Sequence, residues 1–127
     1  MIDHISISVR DLAHSTRFYH TVLATIGFDK LVERPDTTGF GKKYPEFWLN
    51  RRAQMEPVDG DSGVHIALRT TSKESVDRCH AAALQAGAES DGEPGFRPEY
   101  HASYYAAFVR DPDGNRIEVV SFVTDTD

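Results

Sequence analysis

The chain reads as an α+β protein of two tandem βαβββ modules, forming a cupped mixed sheet with the helices on its outer face. Three observations predict this. Two strand-like segments, Ile2-Asp3-His4-Ile5-Ser6-Ile7-Ser8-Val9 and Val64-His65-Ile66-Ala67-Leu68, carry histidines at matching places, 65 − 4 = 61 residues apart. Each is followed by a helical pattern that ends on a glycine and then by short β-rich runs, so one module is written twice. A third alternating segment, Arg116-Ile117-Glu118-Val119-Val120, closes the second copy and carries a glutamate.

After the first strand, Asp11-Leu12 opens a helix whose apolar residues Leu12, Tyr19, Val22, Leu23 and Ile26 recur about one turn apart, and Gly27 ends it. Short strands follow at about 28–34, 38–42 and 46–51. Pro57 to Gly63 is a linker by its composition. It divides a first module of about residues 1–56 from a second of about 63–127, within a chain of 127 residues that makes one domain. Beyond the His65 strand, Thr71-Ser72-Lys73-Glu74 reads as a capping box, and Val76, Cys79, Ala83 and Leu84 give a helical face that stops at Ala86-Gly87. Strands at about 89–92, 103–110 and 115–122 complete the copy, with a loop over Gly92-Glu93-Pro94-Gly95-Phe96-Arg97-Pro98. The last two strands make a hairpin around Asp111-Pro112-Asp113-Gly114-Asn115, where Pro fixes one φ and Gly or Asn takes a positive one.

Composition removes several partners. With 14 Lys and Arg against 20 Asp and Glu, the net charge is −6, and no basic stripe offers a nucleic acid anything to bind. No apolar run approaches the roughly 20 residues that cross a bilayer, and the N-terminus has no signal-like segment, so a soluble, cytoplasmic protein without a membrane partner is expected. The single cysteine, Cys79, excludes an internal disulfide and a thiolate cage. Any metal then rests on imidazole and carboxylate.

Strand residues alternate faces, so a histidine shares its side with residues two positions away. His4, Ser6 and Ser8 oppose Ile5, Ile7 and Val9; His65, Ala67 and Arg69 oppose Val64, Ile66 and Leu68; Arg116, Glu118 and Val120 oppose Ile117 and Val119. The helices must cover the apolar faces, which leaves His4, His65 and Glu118 on the side away from the helices, looking into a shared cup. Centring the last hairpin on Asp113 pairs Glu118 with Phe108 and puts Tyr104 and Ala106 on the same face, with Tyr105 and Val109 on the helix side. Two imidazoles and a carboxylate make a facial triad with open positions, which suits Fe(II), Mn, Ni or Zn.

The opening Ile2 to Leu12, the phrase Ser15-Thr16-Arg17-Phe18-Tyr19 and the ending Phe108 to Glu118 resemble the vicinal oxygen chelate superfamily, which includes glyoxalase I, extradiol dioxygenases, and fosfomycin and bleomycin resistance proteins. The resemblance covers essentially the whole chain. It implies paired βαβββ modules, a divalent metal at the positions matching His4, His65 and Glu118, and a substrate that chelates the metal through two adjacent oxygens. By the internal repeat Phe47-Trp48-Leu49 matches Ile117-Glu118-Val119, so Trp48 stands where glyoxalase I-like members carry a second glutamate. That departure speaks against a true glyoxalase I activity and toward the dioxygenase and resistance-protein branches.

Two functions fit these residues. One is a metal-dependent lyase, isomerase or dioxygenase, in which Glu118 and the ion act on a small oxygen-rich substrate and Tyr104, or His101 in the preceding loop, assists proton transfer. The other is a binding protein of the bleomycin-resistance type, in which the cup sequesters an aromatic ligand without catalysis. In either, Trp48, Phe40 and Phe108 form an aromatic wall, and Arg116 on Glu118's face joins them as a substrate contact. A homodimer is expected, because the edge strands of each module invite pairing and because the resemblance implies modules joined side by side or exchanged between subunits.

Overall fold

The structure, a computed structural model, describes residues 1–123; the last four residues of the second module lie outside the described residues. In chain order it comprises β1 (Ile5–Val9), α1 (Leu12–Ala24), β2 (Asp29–Glu33), β3 (Thr37–Gly41), β4 (Phe47–Arg51), β5 (His65–Arg69), α2 (Lys73–Gln85), β6 (Glu89–Phe96), β7 (Tyr104–Arg110) and β8 (Arg116–Phe122). The fold is α+β with two tandem βαβββ modules. Each module has its own four-stranded mixed sheet, ordered β1-β4-β3-β2 in the first and β5-β8-β7-β6 in the second. In both, the first strand runs parallel to the fourth and every other pair is antiparallel.

The helices begin where short polar side chains can satisfy free backbone N–H groups. Asp11 caps α1 by accepting from His14 N at 3.0 Å, and Gly27, at φ 87°, turns the chain out of it. The expected capping box at Thr71 is corrected by one residue. Ser72 is the cap, accepting from Ser75 N at 3.1 Å, and its hydroxyl bonds that of Ser75, so Glu74 is not the reciprocal partner. The reason lies upstream, where Thr70 N still donates to Val120 O at 2.8 Å and holds the chain extended one step further than propensity alone suggests.

A second correction concerns β6, which runs through most of the segment expected to be a loop. It is the edge strand of its sheet and carries two register irregularities, between Ser90 and Gly92 and between Gly92 and Gly95. Edge position and bulges are what let a strand accommodate Pro94, which has no N–H to give. Gly92 serves a separate purpose: a Cβ there would lie 2.9 Å from Phe108 Cδ1, so glycine lets that ring approach the strand this closely.

Each helix covers one face of its own sheet, and the helices also touch each other. Ile7, Val9, Phe18, Tyr19, Val22, Leu23, Phe47 and Leu49 from the first module merge with Val76, Cys79, Ala83, Val109, Ile117 and Val119 from the second in one buried cluster, with Cys79 Sγ 3.8 Å from the Val22 carbonyl. Tyr105 lies on the helix side as expected, its hydroxyl donating to Asp77 of α2 at 2.7 Å. The Asp111–Asn115 turn binds the modules further. Tyr19 donates to Asp111 Oδ2 at 2.6 Å, Arg10 Nε to Asp113 Oδ1 at 2.8 Å, and Asn115 Nδ2 to the Ser8 carbonyl at 3.0 Å. With both apolar faces committed to this shared interior, the polar faces of the two sheets are left looking outward.

Candidate functional site

The polar face of the second module gathers a small set of groups around Glu118. Parallel pairing sets Ala67 beside Glu118 and His65 beside Arg116, and antiparallel pairing sets Phe108 opposite Glu118, the register read from the sequence. His65 leans along its strand until Nε2 lies 3.1 Å from Glu118 Oε1. Tyr104 reaches the other oxygen, its hydroxyl donating to Glu118 Oε2. Around them Ala106, Phe108 and Val120 form a buried patch, separate from the main core, with Tyr104 packed against it.

Glu118 is only 2% exposed, whereas its partner His65 is 40% exposed. Burying a carboxylate is costly unless it is paired, and here two side chains do all the pairing. Val120 fills the same face two residues on, so packing alone does not call for a carboxylate here, and Glu118 is a candidate reactive or ligating group. The donors also suit a metal. Two ligands each about 2.1 Å from one ion and at right angles lie about 3 Å apart, which is the His65–Glu118 separation. Tyr104 would then act from behind, holding Oε2 and orienting Oε1 toward the ion.

Burial and then the hydrogen bond to Glu118 push the Tyr104 phenol up to about 12 from its ordinary 10.0; Tyr105, by burial and then its bond to Asp77, also reaches about 12. Both therefore stay protonated near neutrality, and Tyr104 is a donor rather than a base. Because the folded state holds these protons more tightly, their contribution to stability is complete below pH 10 and is lost as pH rises toward 12. Tyrosinate absorbance should show three phenols titrating late in the native protein, since burial and then the Asp111 carboxylate also raise the fully buried Tyr19. Tyr104→Phe should remove one of them and flatten the alkaline loss of stability, and an unchanged titration would rule out the Tyr104–Glu118 bond.

The other expected site residues are dispersed. His4 lies just before β1, exposed, with Nδ1 2.7 Å from Asp3 Oδ2. It borders, with His65, an open cleft of about 520 Å³ between the starts of β1 and β5, but it does not join His65 and Glu118. Among the described residues no three His, Cys, Asp or Glu side chains are grouped to hold a metal. His101 sits edge-on to Phe122, ring centroids 6.2 Å apart, and its Nδ1 accepts from Ser103 N at 3.0 Å; its side chain has no hydrogen bond to Glu118.

Trp48 pairs with Ser6 just as Glu118 pairs with Ala67, so the repeat match holds in three dimensions. Its ring covers Gly39, where a Cβ would come within 3.0 Å, and Arg34 lies over it at 5.5 Å. The aromatic wall is corrected at Phe40. That residue pairs with Phe47, fully buried in the main core on the helix face, while Gly39 takes the place beside Trp48. Phe108 does line the Glu118 site, in a different sheet from Trp48. Arg116 is there too, its Nε 2.6 Å from Asp91 Oδ2. Sequence reading missed Asp91 and Arg97, because both fall in or beside the stretch whose glycines and prolines hide an edge strand.

A model of the Glyoxalase/Bleomycin resistance protein/Dioxygenase superfamily matches residues 1–119. The crystal structure of a glyoxalase/bleomycin resistance protein from Albidiferax ferrireducens is similar at 29% identity, covering 94% of this chain and 97% of that one, with a TM-score of 0.83. The fosfomycin resistance protein FosX from Mesorhizobium loti shares the fold at 18% identity and a TM-score of 0.69, over 95% of this chain and 91% of its own. FosX from Listeria monocytogenes does so with the same identity and TM-score, over 95% and 92%. No curated protein matches the sequence. No helix among the described residues is long and apolar enough to cross a membrane.

Proposed function

Since the chain belongs to the Glyoxalase/Bleomycin resistance protein/Dioxygenase superfamily, we propose that it is a metalloenzyme acting on a small oxygen-rich substrate, with its divalent ion (Fe, Mn, Ni or Zn) held by His65, Glu118 and His4 of the partner subunit. The carrying observation is the buried Glu118, with His65 on one oxygen and Tyr104 on the other. A homodimer supplies the missing imidazole. Within the chain the helix faces are joined and the polar faces left open, and β1 and β5 are unpaired sheet edges; a second copy laid edge to edge can cover both polar faces at once.

When bound, the ion supplies Lewis acidity to two adjacent substrate oxygens. The chain's own residues do the rest. Glu118 and His65 fix the coordination, leaving positions open to substrate. Tyr104 keeps the carboxylate in one orientation and offers a proton donor beside it. Phe108, Val120 and Ala106 exclude water from the inner side of the site. A second reading, ligand sequestration of the bleomycin-resistance type, is favoured by Trp48, an indole standing where a further ligand would be.

Subunit mixing tests the proposal. His4→Ala and His65→Ala proteins should each purify as dimers without bound metal. Mixed one to one and allowed to exchange, half the dimers should be hybrids with one intact site of two, restoring about a quarter of the wild-type metal. Elemental analysis that found no recovery in demonstrably hybrid dimers would overturn the shared site. Wild-type protein that bound none of the four ions would overturn the metalloenzyme and leave sequestration.

A further inference from the structure

The Phe108 ring is flanked by two guanidiniums and an imidazole. The guanidinium carbon of Arg116 lies 5.2 Å from its centroid, that of Arg97 5.7 Å, and the His65 ring 6.1 Å. Acidic compensation is sparse. Asp91 alone faces both Arg116, at 2.6 Å, and Arg110, at 3.5 Å. The Asp91–Arg116 ion pair runs through Nε, and among the described residues no hydrogen bond engages the Nη groups of Arg116. Arg97 has no ion pair among the described residues; its Nη2 donates to the Glu93 carbonyl at 2.7 Å, which props the guanidinium against β6. Glu118, the other carboxylate on this face, is engaged by His65 and Tyr104. Further along, Arg69 lies 4.4 Å over Phe122, which packs on Tyr104. The face therefore has an apolar floor of Phe108, Ala106 and Val120 and a cationic rim.

We infer that Arg97 and Arg116 form an oxyanion-binding subsite beside the His65–Glu118 centre, so that the ligand of this site is a small organic anion with an apolar body. The inference deepens the proposed function, on which its placement beside the chelating oxygens rests. Arginine suits the task because its planar fork bonds a carboxylate or phosphonate through two oxygens, and because stacking on an aromatic ring holds that fork in place before the ligand arrives. Phe108 is the ring, and Gly92 is the glycine that lets it lie where both guanidiniums reach it. Arg97 fixes the class of ligand; neither it nor Arg116 takes part in bond making.

Calorimetry with benzoate and phenylphosphonate as anionic probes, and benzyl alcohol as the neutral analogue, tests this on the purified full chain and again after treatment with a chelator. At least one anion should bind about tenfold more tightly than benzyl alcohol in both preparations, and the tighter of the two tells carboxylate from phosphonate. Arg97→Gln should abolish that preference and leave benzyl alcohol binding unchanged; Arg116→Gln, whose Asp91 contact is also lost, should reduce it, with melting curves confirming that each variant is folded. Anions that bind no better than the alcohol, a preference that survives Arg97→Gln, or one that vanishes on chelation would each overturn the subsite. Because the chelated protein is included, absence of a metal leaves this test intact, and the two proposals fail separately.

Discussion

His65→Ala is expected to weaken divalent-metal binding by at least about 100-fold while the protein stays folded. His65 is 40% exposed and stands on a polar face, so its removal opens no cavity in the main core. The loss falls instead on Glu118, which keeps Tyr104 but no longer has a second donor 3.1 Å away with which to hold an ion. Tyr104→Phe should behave differently. It removes the group that orients the carboxylate without removing a ligand, and about tenfold of affinity is expected to go. Titration calorimetry with Zn or Mn, alongside thermal melts, separates the cases. Stoichiometric metal in the His65→Ala protein would take His65 out of the site, and a melting temperature collapsed by the substitution would show that it is structural.

Much of this was legible from alternation and repetition. Strand parity assigned His65, Glu118, Tyr104 and Phe108 to one face, and the Asp113-centred turn fixed their register, because a hairpin's pairing follows from its turn. The repeat put Trp48 at the counterpart of Glu118. Other features have no local signal. How the modules meet depends on which apolar surface each helix shares, and Val22 against Cys79 is a contact that periodicity cannot choose. Hence the sequence grouped His4 with His65 and Glu118, whereas in the structure His4 shares a cleft with His65 and no three such side chains among the described residues are grouped to hold a metal. Phe40 was misplaced because β3 is buried on both faces, at Thr38, Gly39, Phe40 and Gly41 alike, which erases the contrast that parity relies on. Arg97 was hidden by Gly92, Pro94 and Gly95, which signal a loop everywhere except in a bulged edge strand.

The role of the Asp111–Asn115 turn went equally unread, since its residues predict a hairpin and say nothing of its grip on the other module. Asp111 is 4% exposed and takes four hydrogen bonds: Oδ1 from Asp113 N at 2.9 Å and Asn115 N at 2.8 Å, Oδ2 from Tyr19 Oη at 2.6 Å and Asn115 Nδ2 at 3.0 Å. Asp111→Ala is therefore expected to cost about 3–5 kcal/mol, because it strands the fully buried Tyr19 hydroxyl and two backbone N–H groups rather than merely losing contacts. Asp111→Asn should cost less, since it retains one carbonyl oxygen, and Tyr19→Phe about 1 kcal/mol or somewhat more, since it removes the donor and leaves three bonds to the carboxylate. The ordering matters more than any single figure. Packing volume alone would make Tyr19→Phe and Asp111→Asn nearly silent and Asp111→Ala mild. Denaturant unfolding of the three variants decides between the accounts: an Asp111→Ala protein within about 1 kcal/mol of wild type would show that the turn does not hold the modules together.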